Sequence, residues 1–161
     1  MAFRVLLTLM ALALPYVVDG HLCLISPPQR GSMSGLNKPG ATDCGLTQGP
    51  CGGRSAKTPT IALKSDTIYP LVFQKNLDHY TETSPGYFNV LMWDPMKNTS
   101  TELLEIPDEG EPSLHLYTYE ITIPYVGKVN KGVKRYLQVT YVTKNKKAPA
   151  EFYQCADLYI V

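Results

Sequence analysis

The feature that most constrains what this chain can fold into is a succession of short β-rich runs, each closed by turn residues, with no helical period sustained between them. The seven runs cover residues 22–26, 60–63, 68–73, 87–93, 114–123, 133–142 and 151–161. They concentrate β-branched and aromatic residues and alternate them with polar ones, as half-buried strands do. Ser84-Pro85-Gly86, Pro107-Asp108-Glu109-Gly110 and the stretch 124–127 separate them, with proline and glycine supplying the turn conformations that interrupt a strand. Strands of this kind bury their apolar faces when two sheets pack against each other. The expected architecture is all-β: an antiparallel sandwich of the immunoglobulin or fibronectin kind.

Two regions do not fit the strand pattern. Residues 5–14 form an apolar run broken only by Thr8, preceded by Arg4 and followed by a short polar exit with Val18 and Gly20 in the small-residue positions. This is the pattern of a secretory leader cut between Gly20 and His21, which makes residues 1–20 a signal peptide and 21–161 the mature domain. Residues 27–53 carry prolines, many glycines, Cys44 and Cys51, with almost no apolar periodicity. They read as a long N-terminal loop tied down by disulfides.

Cleavage would leave 161 − 20 = 141 residues, a single-domain length able to bury a real core. It would remove Arg4 and Asp19, so 15 basic and 14 acidic residues become 14 and 13 and the formal charge stays +1. Such a balance gives no reason to expect nucleic acid or an anionic membrane as partner. No later apolar stretch approaches the ~20 residues needed to span a bilayer, and the last residues lack a lipid-anchor tail. Cys23, Cys44, Cys51 and Cys155 are an even set in an oxidising compartment, which reads as two disulfides with three possible pairings. Their spacing lacks the paired C-x-x-C of a zinc site. Asn98-Thr99-Ser100 is a glycosylation sequon, in keeping with secretion.

The cut would also create a metal ligand. An N-terminal histidine can close a chelate ring on one ion with its α-amine and Nδ1, which an internal histidine cannot do. His79 follows the run 68–73 and precedes the Ser84-Pro85-Gly86 turn, so a loop or strand end presents it. If the two converge, one amine and two imidazoles form a T-shaped set. Cu(II) favours such nitrogen coordination and stands at the top of the divalent affinity order, while Cu(I) accepts two near-linear imidazoles. The amine's reference pKa of about 7.7–8.0 leaves it partly neutral near neutrality, and binding in acid should weaken as it protonates. His115 lies inside an alternating strand with Tyr117, Tyr119 and Ile121 and reads as a structural histidine.

Four ordered motifs carry a resemblance. They are His21-Leu22-Cys23-Leu24-Ile25-Ser26-Pro27-Pro28-Gln29-Arg30-Gly31, then Pro50-Cys51-Gly52-Gly53. The third is Gln74-Lys75-Asn76-Leu77-Asp78-His79-Tyr80 with Pro85-Gly86-Tyr87-Phe88, and the last is Phe152-Tyr153-Gln154-Cys155-Ala156-Asp157. Together they resemble the copper acquisition factor family, secreted histidine-brace proteins similar in fold to lytic polysaccharide monooxygenases. The resemblance implies that His21 gives the amine and Nδ1, His79 the second imidazole and Asp157 a carboxylate oxygen to copper. It also implies a Cys51–Cys155 disulfide, which leaves Cys23 with Cys44, a pair that departs from the family pattern.

Period two puts Tyr153, Cys155 and Asp157 on one strand face, so a phenol or a carboxylate could approach the metal. A carboxylate stabilises Cu(II) and occupies a position that oxygen chemistry would use. The expected function is therefore a secreted, extracellular protein that captures or transfers copper without turnover, exchanging it with a cell-surface transport partner. The alternative is a copper-dependent monooxygenase acting on chitin or a related polysaccharide. The aromatic residues that could grip a polysaccharide are Tyr80, Tyr87 and Trp93. Tyr87 and Trp93 are an even step apart and are expected to face the core.

Overall fold

The computed structural model describes residues 21–127 and 132–161; the expected leader, residues 1–20, lies outside them. Its strands are β1 (His21–Ser26), β2 (Ile61–Leu63), β3 (Ile68–Leu77), β4 (Tyr87–Asp94), β5 (Thr99–Pro107), β6 (His115–Thr122), β7 (Val133–Val142) and β8 (Glu151–Ile160). They form a three-stranded sheet, β1-β3-β6, and a five-stranded sheet, β2-β8-β7-β4-β5. Alternation decides which side of each strand enters the interior. Leu22 and Leu24, Leu71 and Phe73, Tyr117 and Ile121 line the first sheet's inner face. They meet Phe88 and Val90, Leu137 and Val139, Phe152, Ala156 and Leu158 from the second. The sandwich is as expected from the alternating runs.

Three expectations need correction. β5 was not foreseen, because it opens Thr99-Ser100-Thr101-Glu102 and only Ile106 among its apolar residues is fully buried. It is an edge strand paired to β4 alone, and its outward carboxylates suit an edge that must not recruit another chain. The sandwich is also not wholly antiparallel, since β2 runs parallel to β8 through Ile61↔Leu158 and Leu63↔Ile160. Finally, Tyr87 and Trp93 share a face as expected, but it is the outer one: Phe88, Val90 and Met92 are the buried apolar residues of β4. Among the described residues no helix is long and apolar enough to cross a membrane.

The loop after β1 closes the side of the sandwich between β1 and β8. Because β2 pairs only with residues 158–160, the earlier part of β8 has an open edge, and the loop fills it. Tyr153 N–H donates to Leu46 O at 2.8 Å and Arg30 N–H to Cys155 O at 2.8 Å. Two disulfides fasten the same segment, Cys23–Cys44 to β1 and Cys51–Cys155 to β8. Gln29 Oε1 accepts the buried Leu24 N–H at 2.9 Å, so the Pro-Pro-Gln-Arg-Gly motif turns the chain out of β1 with its backbone satisfied.

β3 runs beyond its apolar residues to Leu77, because Gln74, Lys75 and Asn76 are buried yet partnered. Lys75 shares the inward face of Leu71 and Phe73 and is fully buried. Its Nζ sits 2.6 Å from Asp108 Oδ1 and 3.0 Å from Asp78 Oδ1, while Tyr141 donates to Asp108 Oδ2 at 2.5 Å. One carboxylate thus links β3 of the first sheet to β7 of the second. Asp108→Ala should remove the closest of the three carboxylates around the Lys75 ammonium, leaving Asp78 and Glu111, and cost ~3 kcal/mol, whereas Tyr141→Phe should cost ~1 kcal/mol. Urea denaturation checks this; a loss below ~1 kcal/mol for Asp108→Ala would contradict the role assigned to the pair.

Candidate functional site

The β1–β3 register decides where the two singled-out histidines lie. In this antiparallel pair His21 stands opposite Leu77 and Leu22 opposite Lys75. The first residue of β1 therefore lies beside the last residue of β3, and His79 is two residues further along the same chain. His21 and His79 are brought to one end of the sandwich, and both are buried.

The loop sets the orientation of the first ring. With Cys44 bonded to Cys23 in β1, the next residue, Gly45, is laid against His21. A Cβ at Gly45 would stand 2.7 Å from His21 Nε2, closer than real contacts allow, so glycine is required for this approach. Gly45 thus packs along the edge of the His21 ring that carries Nε2, Cδ2 and Cε1. Nδ1 is the ring nitrogen able to chelate together with an α-amine.

His79 is held from below by aromatic rings. It stacks on Phe152 with centroids 5.7 Å apart and 5° between planes, and lies 6.5 Å from the Tyr141 ring. Asn145 Nδ2 donates to the His79 carbonyl at 3.0 Å, and Asp78, immediately before it, accepts from Tyr80 N–H and faces Lys75. The second histidine thus rests on a packed floor and a buried ionic network. Phe152, rather than Tyr153, is the β8 residue beside it: Tyr153 points to the other face, against Gly49, with its hydroxyl on Glu151.

Asp157 is placed elsewhere. It lies five residues beyond Phe152 on β8, about 17 Å along a strand at ~3.3 Å per residue. Arg30 grips it in a two-pronged pair, Nη2 to Oδ1 at 2.7 Å and Nε to Oδ2 at 2.9 Å, and Lys57 N–H adds a bond to Oδ2 at 2.9 Å. Among the described residues no group of three or more His, Cys, Asp or Glu comes together in a way that could hold a metal. Asp157 does not join the two histidines in such a group here. His115 packs edge-on against Tyr117 at 4.7 Å, on the strand position expected for a structural histidine. Asn98 is exposed in the turn between β4 and β5.

Sequence reasoning gave no role to Gly45, Phe152, Lys75, Asp108 or Arg30, although Phe152, Lys75 and Arg30 lie within the motifs it quoted. The candidate polysaccharide-gripping rings are all engaged. Tyr80 packs on Gly110, the Lys144 ammonium lies 4.9 Å over Tyr87, and Trp93 stacks on Tyr136 with centroids 5.9 Å apart. Beside His79 the surface instead presents Thr81, Thr83, Ser84 and the lysines 144, 146 and 147 around a cavity of about 590 Å³.

Comparison with known proteins gives a fold likeness. A lytic polysaccharide monooxygenase of the AA10 class from Streptomyces lividans superposes with a TM-score of 0.54 at 14% identity, over 86% of this chain and 99% of that one. The catalytic domain of the monooxygenase Lmo2467 from Listeria monocytogenes gives 0.51 at 17% identity, over 88% and 99%. No family model matches the sequence, and no curated protein matches it.

Burial raises the pKa of the tyrosines Tyr117, Tyr141 and Tyr153. Burial first, then the Asp108 carboxylate, pushes Tyr141 far above its ordinary value of 10.0, and burial with Glu111 does the same to Tyr117. Tyr153 is pushed up to about 12 by burial and Glu151. A raised folded value means that the neutral phenol stabilises the fold fully below the unfolded value. That contribution is lost as pH climbs above about 10. Alkaline titration followed by phenolate absorbance should show Tyr141 and Tyr117 ionising only as the fold melts. Unchanged titration in Tyr141→Phe and Tyr117→Phe variants of an intact fold supports this; loss of an early-titrating phenol in either contradicts it.

Proposed function

We propose that residues 1–20 are a secretory leader and that the chain from His21 onward is an extracellular copper-binding protein. It captures or hands over copper through His21 and His79 at one end of the sandwich. The observation that carries this reading is the β1–β3 register, which sets His21 opposite Leu77 and so beside the segment that bears His79. The donor set suits the ion: cleavage before His21 frees an amine next to Nδ1, and His79 adds a second imidazole, a nitrogen set that copper prefers. The packing of Gly45 on the Nε2 edge of the His21 ring supports the choice of Nδ1. Copper held there would be a redox-active and transferable cargo. The chain's own residues supply the rigidity, with Phe152 under His79 and Lys75 fixing Asp78. Asp157, expected as a third ligand, serves in this reading as the anchor of Arg30. Asn98, exposed on its turn, is the proposed glycan acceptor.

Capture and transfer are favoured over oxidation of a polysaccharide by the rings that could grip one: each is half-buried and already packs against Gly110, Lys144 or Tyr136. The second reading is a copper-dependent monooxygenase acting on chitin or a related polysaccharide. Two observations favour it, namely the fold likeness to such enzymes and the engagement of both Asp157 oxygens by Arg30.

Competition against a copper chelator tests the proposal. Protein beginning at His21 should bind one Cu(II), His79→Ala should weaken binding by at least ~100-fold, and His115→Ala should leave it unchanged. Gly45→Ala should weaken it too, because the added carbon must push the His21 ring aside. Equal effects of His79→Ala and His115→Ala would refute the ligand assignment. Oxidised oligosaccharides from chitin or cellulose, formed with reductant and lost in His79→Ala, would replace the capture reading by the monooxygenase.

A further inference from the structure

The Arg30–Asp157 pair belongs to a second site, on the outer face of the five-stranded sheet. Trp93, Tyr136 and Asp157 are successive cross-strand neighbours on β4, β7 and β8. The Arg30 guanidinium lies 5.1 Å over the Tyr136 ring, with 6% of its side chain exposed, and its remaining Nη1 donates to Arg54 O at 2.8 Å. These contacts form one wall of a cavity of about 450 Å³.

That cavity is strongly cationic. Arg30, Arg54, Lys57, Lys134 and Arg135 line it, with Asp157 as the one acidic lining residue. Three of the cations are compensated, Arg30 by Asp157, Arg54 by Asp43 and Arg135 by Asp94. Lys57 and Lys134 have no ion-pair partner among the described residues, and both are exposed at the cavity's edge. The site therefore pairs fixed, partly buried guanidinium groups with two uncompensated ammonium groups, an arrangement that attracts an oxyanion.

We propose that this cavity binds an oxyanion carried on a sugar-sized body, such as a sulfated sugar. The volume lies within the ~300–1,000 Å³ usual for small-molecule sites and leaves room beyond the anionic group itself. Pro50, Ala56 and Pro95 supply apolar wall for that remainder. Tyr136, already covered by Arg30 and stacked with Trp93, orients the guanidinium rather than receiving a ring of the ligand. The proposal does not depend on the copper reading, because the cavity lies along β8 from Phe152, on the opposite face of the strand.

Nuclear magnetic resonance titration of metal-free protein beginning at His21 tests it, with glucose 6-sulfate, inorganic sulfate and unmodified glucose as probes. Glucose 6-sulfate should shift the Lys57 and Arg135 amides saturably and bind more tightly than inorganic sulfate, while glucose should cause no shift. The double variant Lys57→Gln/Lys134→Gln should weaken glucose 6-sulfate by roughly fivefold, the scale of two exposed ion contacts, with an unchanged thermal midpoint. Equal affinity for inorganic sulfate would overturn the sugar-sized ligand. Non-saturating shifts, shifts centred on residues 144–147, or an unaffected double variant would overturn the site itself.

Discussion

The pairing of β1 with β3 is the constraint on which the rest of the molecule depends. An antiparallel register sets the first residue of one strand against the last residues of the other, and here those positions are His21 and Leu77. A slip of one residue would turn Leu22 and Leu24 out of the core and exchange the faces of every β1 side chain. The register is held from both sides, by the leucines inside and by the Cys23–Cys44 disulfide outside. That disulfide also delivers Gly45 to the His21 ring, so the bond that secures the strand orients the side chain at its start.

Two ion-paired carboxylates, Asp108 in the interior and Asp157 half-buried on the outer face, illustrate different ways of carrying charge in a small sandwich. Asp108 accepts from Lys75 and Tyr141 and connects opposite sheets behind His79. Asp157 accepts from Arg30 and the Lys57 amide and connects the loop to β8. Each ion is matched by more than one hydrogen bond, which offsets the cost of removing it from water. Their effect is geometric: one steadies the segment bearing His79, and the other fixes a guanidinium in the cationic cavity.

Period-two alternation made the sandwich legible in the sequence, and the punctuation by proline and glycine located most strand boundaries. β5 escaped because an edge strand need not carry continuous apolar alternation, and Thr99 to Glu102 carry none. The end of β3 escaped because Lys75 and Asn76 are polar residues whose burial depends on partners distant in sequence, Asp108 and the Ala41 amide. The sequence singled out both histidines by their addresses, one at the expected leader boundary and one after a strand, and the β1–β3 register brings those two segments to one end of the sandwich. The Cys51–Cys155 bond is the one implied by the family resemblance, and Cys23–Cys44 is the pair it left over. The partner of Asp157 was not legible, since Arg30 lies 127 residues away and no local pattern joins them. The same holds for Tyr87 and Trp93: alternation gave their shared face but not which face is the inner one.

The proposed reading, in which His21 becomes a ligand only when a leader is cut away, ties metal binding to passage through the secretory route. On this account the framework contributes position and the cut contributes the amine. Electron paramagnetic resonance of the Cu(II)-loaded protein beginning at His21 addresses that claim most directly. The account predicts coupling to three nitrogens, falling to two in His79→Ala and losing the amine contribution when one residue precedes His21. A spectrum unchanged by both alterations would contradict it.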